Sequence, residues 1–390
     1  MQVNIYSGLL LLSSTLFFGC ESELKTLGDQ REFIFENAPV FFDPEINKEP
    51  DENNIIRLDA GRTLIKKINF PKFEKAVTAT LRVRVLSNGD PWDKIGSVFL
   101  LPSNSIPGFI EADKEGSLFP SHDYPGMTAQ EKYMPAIELM RFATSFGIGY
   151  YSDSLPERRP VYMEEWAKEI IWEEDITAFM SELEGEHWIG IHVDTWTKQG
   201  YLADVEIQIE ESKIEEHEAV HGTVIPILNS VHYISTQKTY DRFDKEKLSV
   251  KFDVPENSTA QTLRYIITGH GGHEGGDEFV KQEQIISVDG KELYKFTPWR
   301  PDCDAMRRFN PHAGVWTEEI EWRGETLKER VASSDLPRSG WCPADKVSPI
   351  DIHLSLDEGA HTLEIEIPGA QAMEENKHNF WIVSAVLIEN

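Results

Sequence analysis

The stretch Val77-Thr78-Ala79-Thr80-Leu81-Arg82-Val83-Arg84-Val85 decides the fold class of this chain. Valine, alanine and leucine take the odd positions; threonine and arginine take the even ones. A period of two places the two sets on opposite faces of an extended strand, and a run without glycine or proline suits a pleated, half-buried surface. The same alternation recurs at Ile189, Ile191 and Val193; at Val205, Ile207 and Ile209; at Leu248, Val250, Phe252 and Val254; at Ile350, Ile352 and Leu354; and at Leu363, Ile365 and Ile367. Helical spacing is scarce. Ile176, Phe179, Met180 and Leu183 stand at i, i+3, i+4 and i+7 and predict one short helix closing at Gly185, and Thr128 with Glu131 fits a capping box for another short turn. Many short alternating strands with almost no helix predict an all-β, antiparallel protein built of sandwiches or jelly rolls.

The chain has 390 residues, more than the roughly 250 to 300 at which a single hydrophobic core stops growing, so two domains are expected. The charged run Glu210–His221 (EESKIEEHEAVH) separates two blocks of strands and is too polar to be core. It divides the chain into an N-terminal β domain over residues 55–215 and a C-terminal one over 216–390, preceded by a tether and edge segment over residues 20–54. Lys and Arg number 38 against 67 Asp and Glu, a net charge of −29. Such an imbalance argues against nucleic acid or anionic lipid bound through a basic face. Hydrophobic residues at 40% and charged residues at 27% are ordinary for a folded protein, so the acidity belongs to the surface.

Residues Leu9 to Phe18 form a mostly apolar run bounded by Gly19 and Cys20, after which the chain turns acidic. The run is shorter than the roughly 20 residues of a spanning helix and reads as the apolar region of a signal peptide over residues 1–19. Gly19-Cys20 resembles a bacterial lipobox, in which the cysteine is lipidated and becomes the new first residue; an ordinary secretory peptide cut nearby is the alternative. Both readings export the protein, as an outer-membrane or cell-surface lipoprotein or else to the periplasm or medium. Later segments offer no long uncharged apolar stretch, so membrane contact is expected only through the lipid anchor.

Chemistry concentrates at four places. The loop Thr268–Phe279 (TGHGGHEGGDEF) holds five glycines, two histidines and three acids directly after a strand. Glycine allows positive φ and close backbone approach to a ligand, which makes the loop a candidate binding site. His270, His273, Asp277 and Glu278 are all possible metal ligands, but the histidines are three apart in a loop and no other His or Cys cluster completes a set, so they read as hydrogen-bonding residues and no metal is expected. Gly89-Asp90-Pro91-Trp92-Asp93-Lys94 is a turn into the next strand. Trp92 offers a flat apolar face suited to a sugar ring, and Asp93 offers a carboxylate. Asp194-Thr195-Trp196 ends another strand with the same pairing of acid and indole. Pro337-Arg338-Ser339-Gly340-Trp341-Cys342-Pro343 combines Arg, Trp and Cys in a constrained loop.

At these four places together the sequence resembles the bacterial peptide-N-glycosidase F family, the asparagine amidases that remove N-linked glycans. The likeness runs from about Phe70 to the terminal strand Asn379–Glu389. It implies two eight-stranded antiparallel jelly rolls packed side by side with the active site in the cleft between them. It also implies that Asp93 is the principal catalytic aspartate, that Glu278 acts across the cleft, and that Asp194 is a third acid where the family usually has the longer Glu. Arg338 and Trp196 match residues that position the innermost sugars. Trp92, Lys94, His270, Gly271 and Trp341 fall among the substrate-binding positions, with Lys94 where an Arg is common and His270 where a Trp often stands. Cys303 and Cys342 match a family disulfide; with Cys20 assigned to lipid, this accounts for all three cysteines. A loop of that length stabilises the fold by about 4 kcal/mol in the chain-entropy model and requires an oxidising compartment. The implied substrate is an N-glycopeptide or N-glycoprotein, handled by a monomer without cofactor. A non-catalytic glycan-binding surface protein and an endo-acting glycosidase are the rival readings.

Overall fold

The computed structural model describes residues 30–73, 76–102, 106–116, 124–129, 133–149, 163–211, 222–237, 240–256, 258 and 260–389. The signal-peptide and Cys20 readings lie outside the described residues, as does the boundary run from residue 212 to 221.

The chain forms two antiparallel jelly-roll sandwiches. Strands of the first are β1 (Gln30–Val40), β2 (Ile55–Leu58), β3 (Thr63–Phe70), β4 (Val77–Ser87), β5 (Ile95–Leu101), β6 (Ile137–Ala143), β7 (Ile171–Asp175), β8 (Gly185–Val193) and β9 (Tyr201–Glu211). The later part of the chain supplies β10 (Val224–Asn229), β11 (Leu248–Val254), β12 (Gln261–His270), β13 (Gln284–Val288), β14 (Lys291–Phe296), the ribbon strands β15 (Trp299–Arg300), β16 (Val315–Trp322), β17 (Glu325–Ala332) and β18 (Arg338–Ser339), then β19 (Lys346–Val347), which joins a sheet of the first sandwich, and β20 (Ile350–Leu354), β21 (Gly359–Glu366) and β22 (Phe380–Glu389). One sheet of the first sandwich has the order β1-β9-β4-β7 and the other β19-β6-β5-β8-β3-β2; the second sandwich stacks β10-β22-β12-β20 on β11-β21-β13-β14. Gln30–Val40, within the tether and edge segment of the sequence, is a strand at the edge of its sheet, paired with β9.

β4 shows how the alternation works. Val77, Ala79, Leu81, Val83 and Val85 are buried in the first core, while Arg84 on the other face pairs with Asp204 at 2.7 Å. β5 and β6 are buried along their whole length, because their sheet is packed on both faces. Behind it lies the first core; in front, Phe99 and Ile95 join Tyr233, Ile266, Trp341 and Ile382 in an apolar layer between the sandwiches. Phe99 and Tyr233 have ring centroids 3.9 Å apart. A buried ion pair ties the same interface: Arg141 donates to Glu138 at 2.7 Å and to the Ile382 carbonyl at 2.7 Å, and Ser384 donates to Glu138 at 2.5 Å. The pair is hydrogen-bonded on all sides, the condition under which a buried ion pair is tolerated.

Two helical expectations change. Ile176–Leu183 forms a tighter 3-10 turn, Thr177–Glu182, whose Phe179 and Met180 plug the first core. Its amides bond three residues back, Phe179 to Ile176 and Leu183 to Met180, and Gly185 at φ 86° already opens β8. Thr128 caps no helix; it forms an isolated bridge with Leu228 of β10, a tertiary pairing that overrides the local capping pattern, and Glu131 lies outside the described residues. The sequence pattern also hid the helix Ile106–Glu115, whose Phe109 and Ala112 are buried. Pro107 and Gly108 read as breakers, although a first helical turn accommodates proline.

Candidate active site

Asp93 and Asp194 are neighbours because of strand pairing. Asp93 comes just before β5 and Asp194 just after β8; these strands are antiparallel, Gly96 lies opposite Val193, and the Asp194 amide donates to the Ile95 carbonyl at 3.0 Å. Buried Asp90 clasps the two turns together, accepting from the Trp92 amide at 3.1 Å and from the Thr195 hydroxyl at 2.7 Å. The Tyr201 hydroxyl adds a bond to the Trp92 carbonyl at 2.5 Å. Both carboxylates therefore project from the same end of one rigid sheet.

The second sandwich supplies the opposite wall through the glycine-rich loop after β12. Its anchor is Asp277, fully buried, which accepts from Trp381 Nε1 at 3.0 Å, Gln282 at 3.1 Å and the Gln371 amide at 3.0 Å. Gly271 turns the loop at φ 152°, and a Cβ there would sit 2.4 Å from Asn379 Oδ1. That same oxygen accepts from the Asp277 amide at 3.1 Å and contacts His273 Nε2 at 3.2 Å. The Gly271 backbone, beside Glu278, slightly lowers the proton affinity of that carboxylate. The four candidate metal ligands are thus engaged separately. His270 pairs with the Thr268 hydroxyl at 2.8 Å and stacks on Phe380, centroids 4.9 Å apart; burial pushes its pKa down to about 3, so the ring is neutral.

Arg338 lies between the walls. Only 2% exposed, it donates to Glu278 at 2.8 Å and to the Leu336 carbonyl at 3.1 Å, and its other nitrogen stands 3.6 Å from Asp93. Its guanidinium rests over Trp341 at 4.9 Å and Phe279 at 5.2 Å. Trp341 is itself buried, donating to the Gly269 carbonyl at 3.0 Å, and the following residue closes the Cys303–Cys342 disulfide. Burial raises the proton affinity of Asp93, opposed first by Arg338 and then by Lys94. Burial also raises Glu278, again opposed by Arg338, with the nearby Asp93 charge pushing it further up. Two carboxyls flanking one guanidinium thus compete for one counter-charge.

Asp194 differs. Its side chain is 48% exposed, so the surrounding protein raises its proton affinity against strong solvent screening, and Arg62 opposes the rise. Arg62 is buried and bridges Asp194 at 2.9 Å and Asp59 at 2.7 Å. Its guanidinium also lies over the Trp196 ring at 4.1 Å, and Phe42 packs beside that indole at 5.2 Å. Trp196 is held from behind while 59% of it stays open; Trp92, braced edge-on by Phe146, is 57% open.

These groups line one cavity of about 1070 Å³, which takes Trp92, Asp93, Lys94, Asp194 and Trp196 from the first sandwich and His270, Gly271, Glu278, Arg338 and Trp341 from the second. The candidate catalytic and substrate-binding residues of the sequence analysis therefore lie around one cavity, whereas His273 and Asp277 do not line it and serve to hold the loop. Sequence reasoning missed Arg62, His192, His232 and Phe146, and it quoted Asp90 in its turn without the clasping role that the structure gives it. Arg62 follows three residues with positive φ, Asp59, Ala60 and Gly61, of which only the glycine gives a signal. His192 and His232 are isolated in sequence and meet only across the interface. The cavity presents open indoles beside carboxyls of raised pKa on a buried cation, an arrangement able to bind a sugar by its apolar face and move protons at an attached polar group.

A family model for peptide-N-glycosidase F, N terminal, matches residues 33–209, and one for peptide-N-glycosidase F, C terminal, matches residues 238–388. Among solved structures, the chain is similar to PNGF-II in a P21 crystal form, with 32% identity, a TM-score of 0.79 and coverage of 93% of this chain and 65% of that one. A C2 form of PNGF-II gives 31% identity, a TM-score of 0.77 and the same 93% and 65% coverage. The chain thus spans 65% of the length of these relatives. PNGase F, a glycosylasparaginase from Flavobacterium meningosepticum, is similar in fold at 17% identity and a TM-score of 0.61, over 93% of this chain and 96% of that one. No curated protein sequence matches the chain.

Proposed function

The chain belongs to the peptide-N-glycosidase F family, and on that premise we propose that it hydrolyses the amide between the innermost N-acetylglucosamine and asparagine of N-glycopeptides or N-glycoproteins. The observation that carries the reading is the placement of Asp93 and Glu278, from separate sandwiches, on the two sides of the Arg338 guanidinium at 3.6 and 2.8 Å. In the reaction, water adds its oxygen to the amide carbonyl carbon, the carbon–nitrogen bond breaks, and the nitrogen leaves as a glycosylamine with a proton. The peptide keeps an aspartate. One group must take a proton from water and one must deliver a proton to the leaving nitrogen. Two coupled carboxyls with raised proton affinity supply this pair, since one holds a proton where free carboxyls have lost theirs. Asp93 acts on the reacting linkage as the central acid or base, and Glu278 orients and activates water with it. Arg338 holds both and offsets negative charge developing on the carbonyl oxygen. Asp194 and the Trp92 and Trp196 faces hold the first sugars, with Lys94, His270 and Gly271 shaping the remaining wall.

We also propose that the mature protein is an exported monomer, anchored through Cys20 or secreted, with its domain boundary in the run 210–221. The Cys303–Cys342 bond supports an oxidising compartment, and no described helix is long and apolar enough to cross a membrane. The test of the activity is incubation with an N-glycopeptide followed by mass spectrometry of both products. An aspartyl peptide with an intact glycan is expected. A retained N-acetylglucosamine on the peptide would point to an endoglycosidase, and binding without turnover to a carbohydrate-binding module.

A further inference from the structure

The strands β16 and β17 form a ribbon that pairs with no other strand among the described residues. Arg323 at φ 51° and Gly324 at φ 80° make the two-residue turn at its tip, a geometry that matches the twist of a hairpin. Each strand has eight residues, so the ribbon reaches roughly 25 Å at about 3.3 Å per residue. Residues 319–328 are exposed throughout. Ile320 lies opposite Leu327, and Trp322 follows on the same face beyond them, giving an apolar strip with exposures of 36%, 40% and 57%. A projecting ribbon with an apolar face and unpaired backbone edges invites aggregation unless it has an occupant.

Its root identifies that occupant. Gly314 and Ser333, the residues that flank the ribbon, line the active-site cavity, and the Ser333 amide donates to the Gly314 carbonyl at 2.8 Å. The disulfide brackets the whole excursion, and Arg307 pairs with Asp335 at 2.6 Å beside the root. The ribbon is thus a braced extension of the cavity wall, continuous with the site and leading away from it. Resting on the amidase reading, we infer that this hairpin is an exosite for the polypeptide of the substrate, receiving the extended chain next to the glycosylated asparagine as that chain leaves the cavity. An edge strand recognises backbone whatever the sequence, and the Ile320-Trp322-Leu327 strip receives apolar side chains that a denatured glycoprotein exposes.

The test replaces Ile320, Trp322 and Leu327 together by serine, all three being exposed, and compares kcat/KM on a glycosylated pentapeptide and on a denatured, alkylated glycoprotein carrying the same glycan. The expected result is a loss of about tenfold or more on the glycoprotein, carried by KM, with the pentapeptide rate within about twofold of wild type. Equal rates on both substrates, or equal losses on both, would overturn the exosite. Binding of the unfolded polypeptide without its glycan, followed by fluorescence anisotropy, is independent of turnover: the triple variant must bind at least about fivefold more weakly. Unchanged binding of that polypeptide, or weakened binding of the free glycan in its place, overturns the inference. Absence of glycan release by the wild-type protein would instead overturn the amidase reading, while the anisotropy result still decides the hairpin. A second variant, with residues 316–331 replaced by a short Gly-Ser turn that keeps the Gly314–Ser333 bond, must give the same substrate-dependent loss.

Discussion

Arg338 is the residue that joins the two walls of the candidate site, 2.8 Å from Glu278 and 3.6 Å from Asp93. Its positive charge is what most opposes the raised proton affinities of Asp93 and of Glu278. Arg338→Gln should therefore move the pH–rate profile to higher pH and lower kcat by about 10²- to 10³-fold. It should also destabilise the fold by about 3 to 5 kcal/mol, because two buried carboxyls lose their partner; denaturant unfolding measures this. Asp93→Asn separates activity from stability. A carboxyl whose folded pKa is raised binds its proton more tightly folded than unfolded, so its stabilising effect is present at low pH and fades as pH climbs through the folded pKa. The variant should lose kcat by about 10²- to 10⁴-fold, yet lose less stability than wild type as pH rises from the ordinary carboxylate range through the raised one. Unfolding midpoints across that window check the sign. Arg62 props the exposed Trp196 indole: if that indole holds the sugar as proposed, Arg62→Gln and Trp196→Ala should both raise KM and combine non-additively in a double-mutant cycle, since the guanidinium lies 4.1 Å over the ring.

At the scale of elements, the site hangs on turns that link strand ends. Gly271→Ala places a methyl 2.4 Å from Asn379 Oδ1, so the loop must shift, carrying Glu278 with it. Activity should fall further than stability, which should drop by about 1 to 3 kcal/mol, and thermal melts beside rate measurements would show the difference. The strands themselves were legible because alternation reports one buried face, and Val77–Val85 became β4 on that basis. Asp93, Asp194, the glycine-rich loop and Arg338 were legible as parts of four motifs whose joint family resemblance singled them out, since in a chain with 67 acidic residues no one acid is a signal by itself. Arg62, His192 and His232 were not. Their importance comes from partners brought together by strand pairing and domain contact, and nothing in their own neighbourhoods announces it. The helix Ile106–Glu115 was hidden because Pro107 and Gly108 look like breakers, although both fall in its first turn, where proline is tolerated.

At the scale of the molecule, two sandwiches each supply half of the lining of one cavity. The apolar layer around Phe99 and Tyr233 and the Arg141–Glu138 pair hold the halves in register. Arg141→Met, which strands Glu138 in that interface, should lower stability by about 3 to 5 kcal/mol and reduce kcat in the molecules that remain folded. Net charge and length foretold two acidic-surfaced domains, whereas their relative placement depends on side chains remote in sequence. The central claim is that this shared cavity breaks the amide bond of glycosylated asparagine. The most direct measurement is turnover of an N-glycopeptide in heavy-oxygen water, with mass spectrometry of both products taken before the glycosylamine decays. The account predicts one heavy oxygen in the new aspartate of the peptide and a glycan released with its nitrogen. Heavy oxygen on the sugar's reducing carbon, with N-acetylglucosamine left on the peptide, would contradict it.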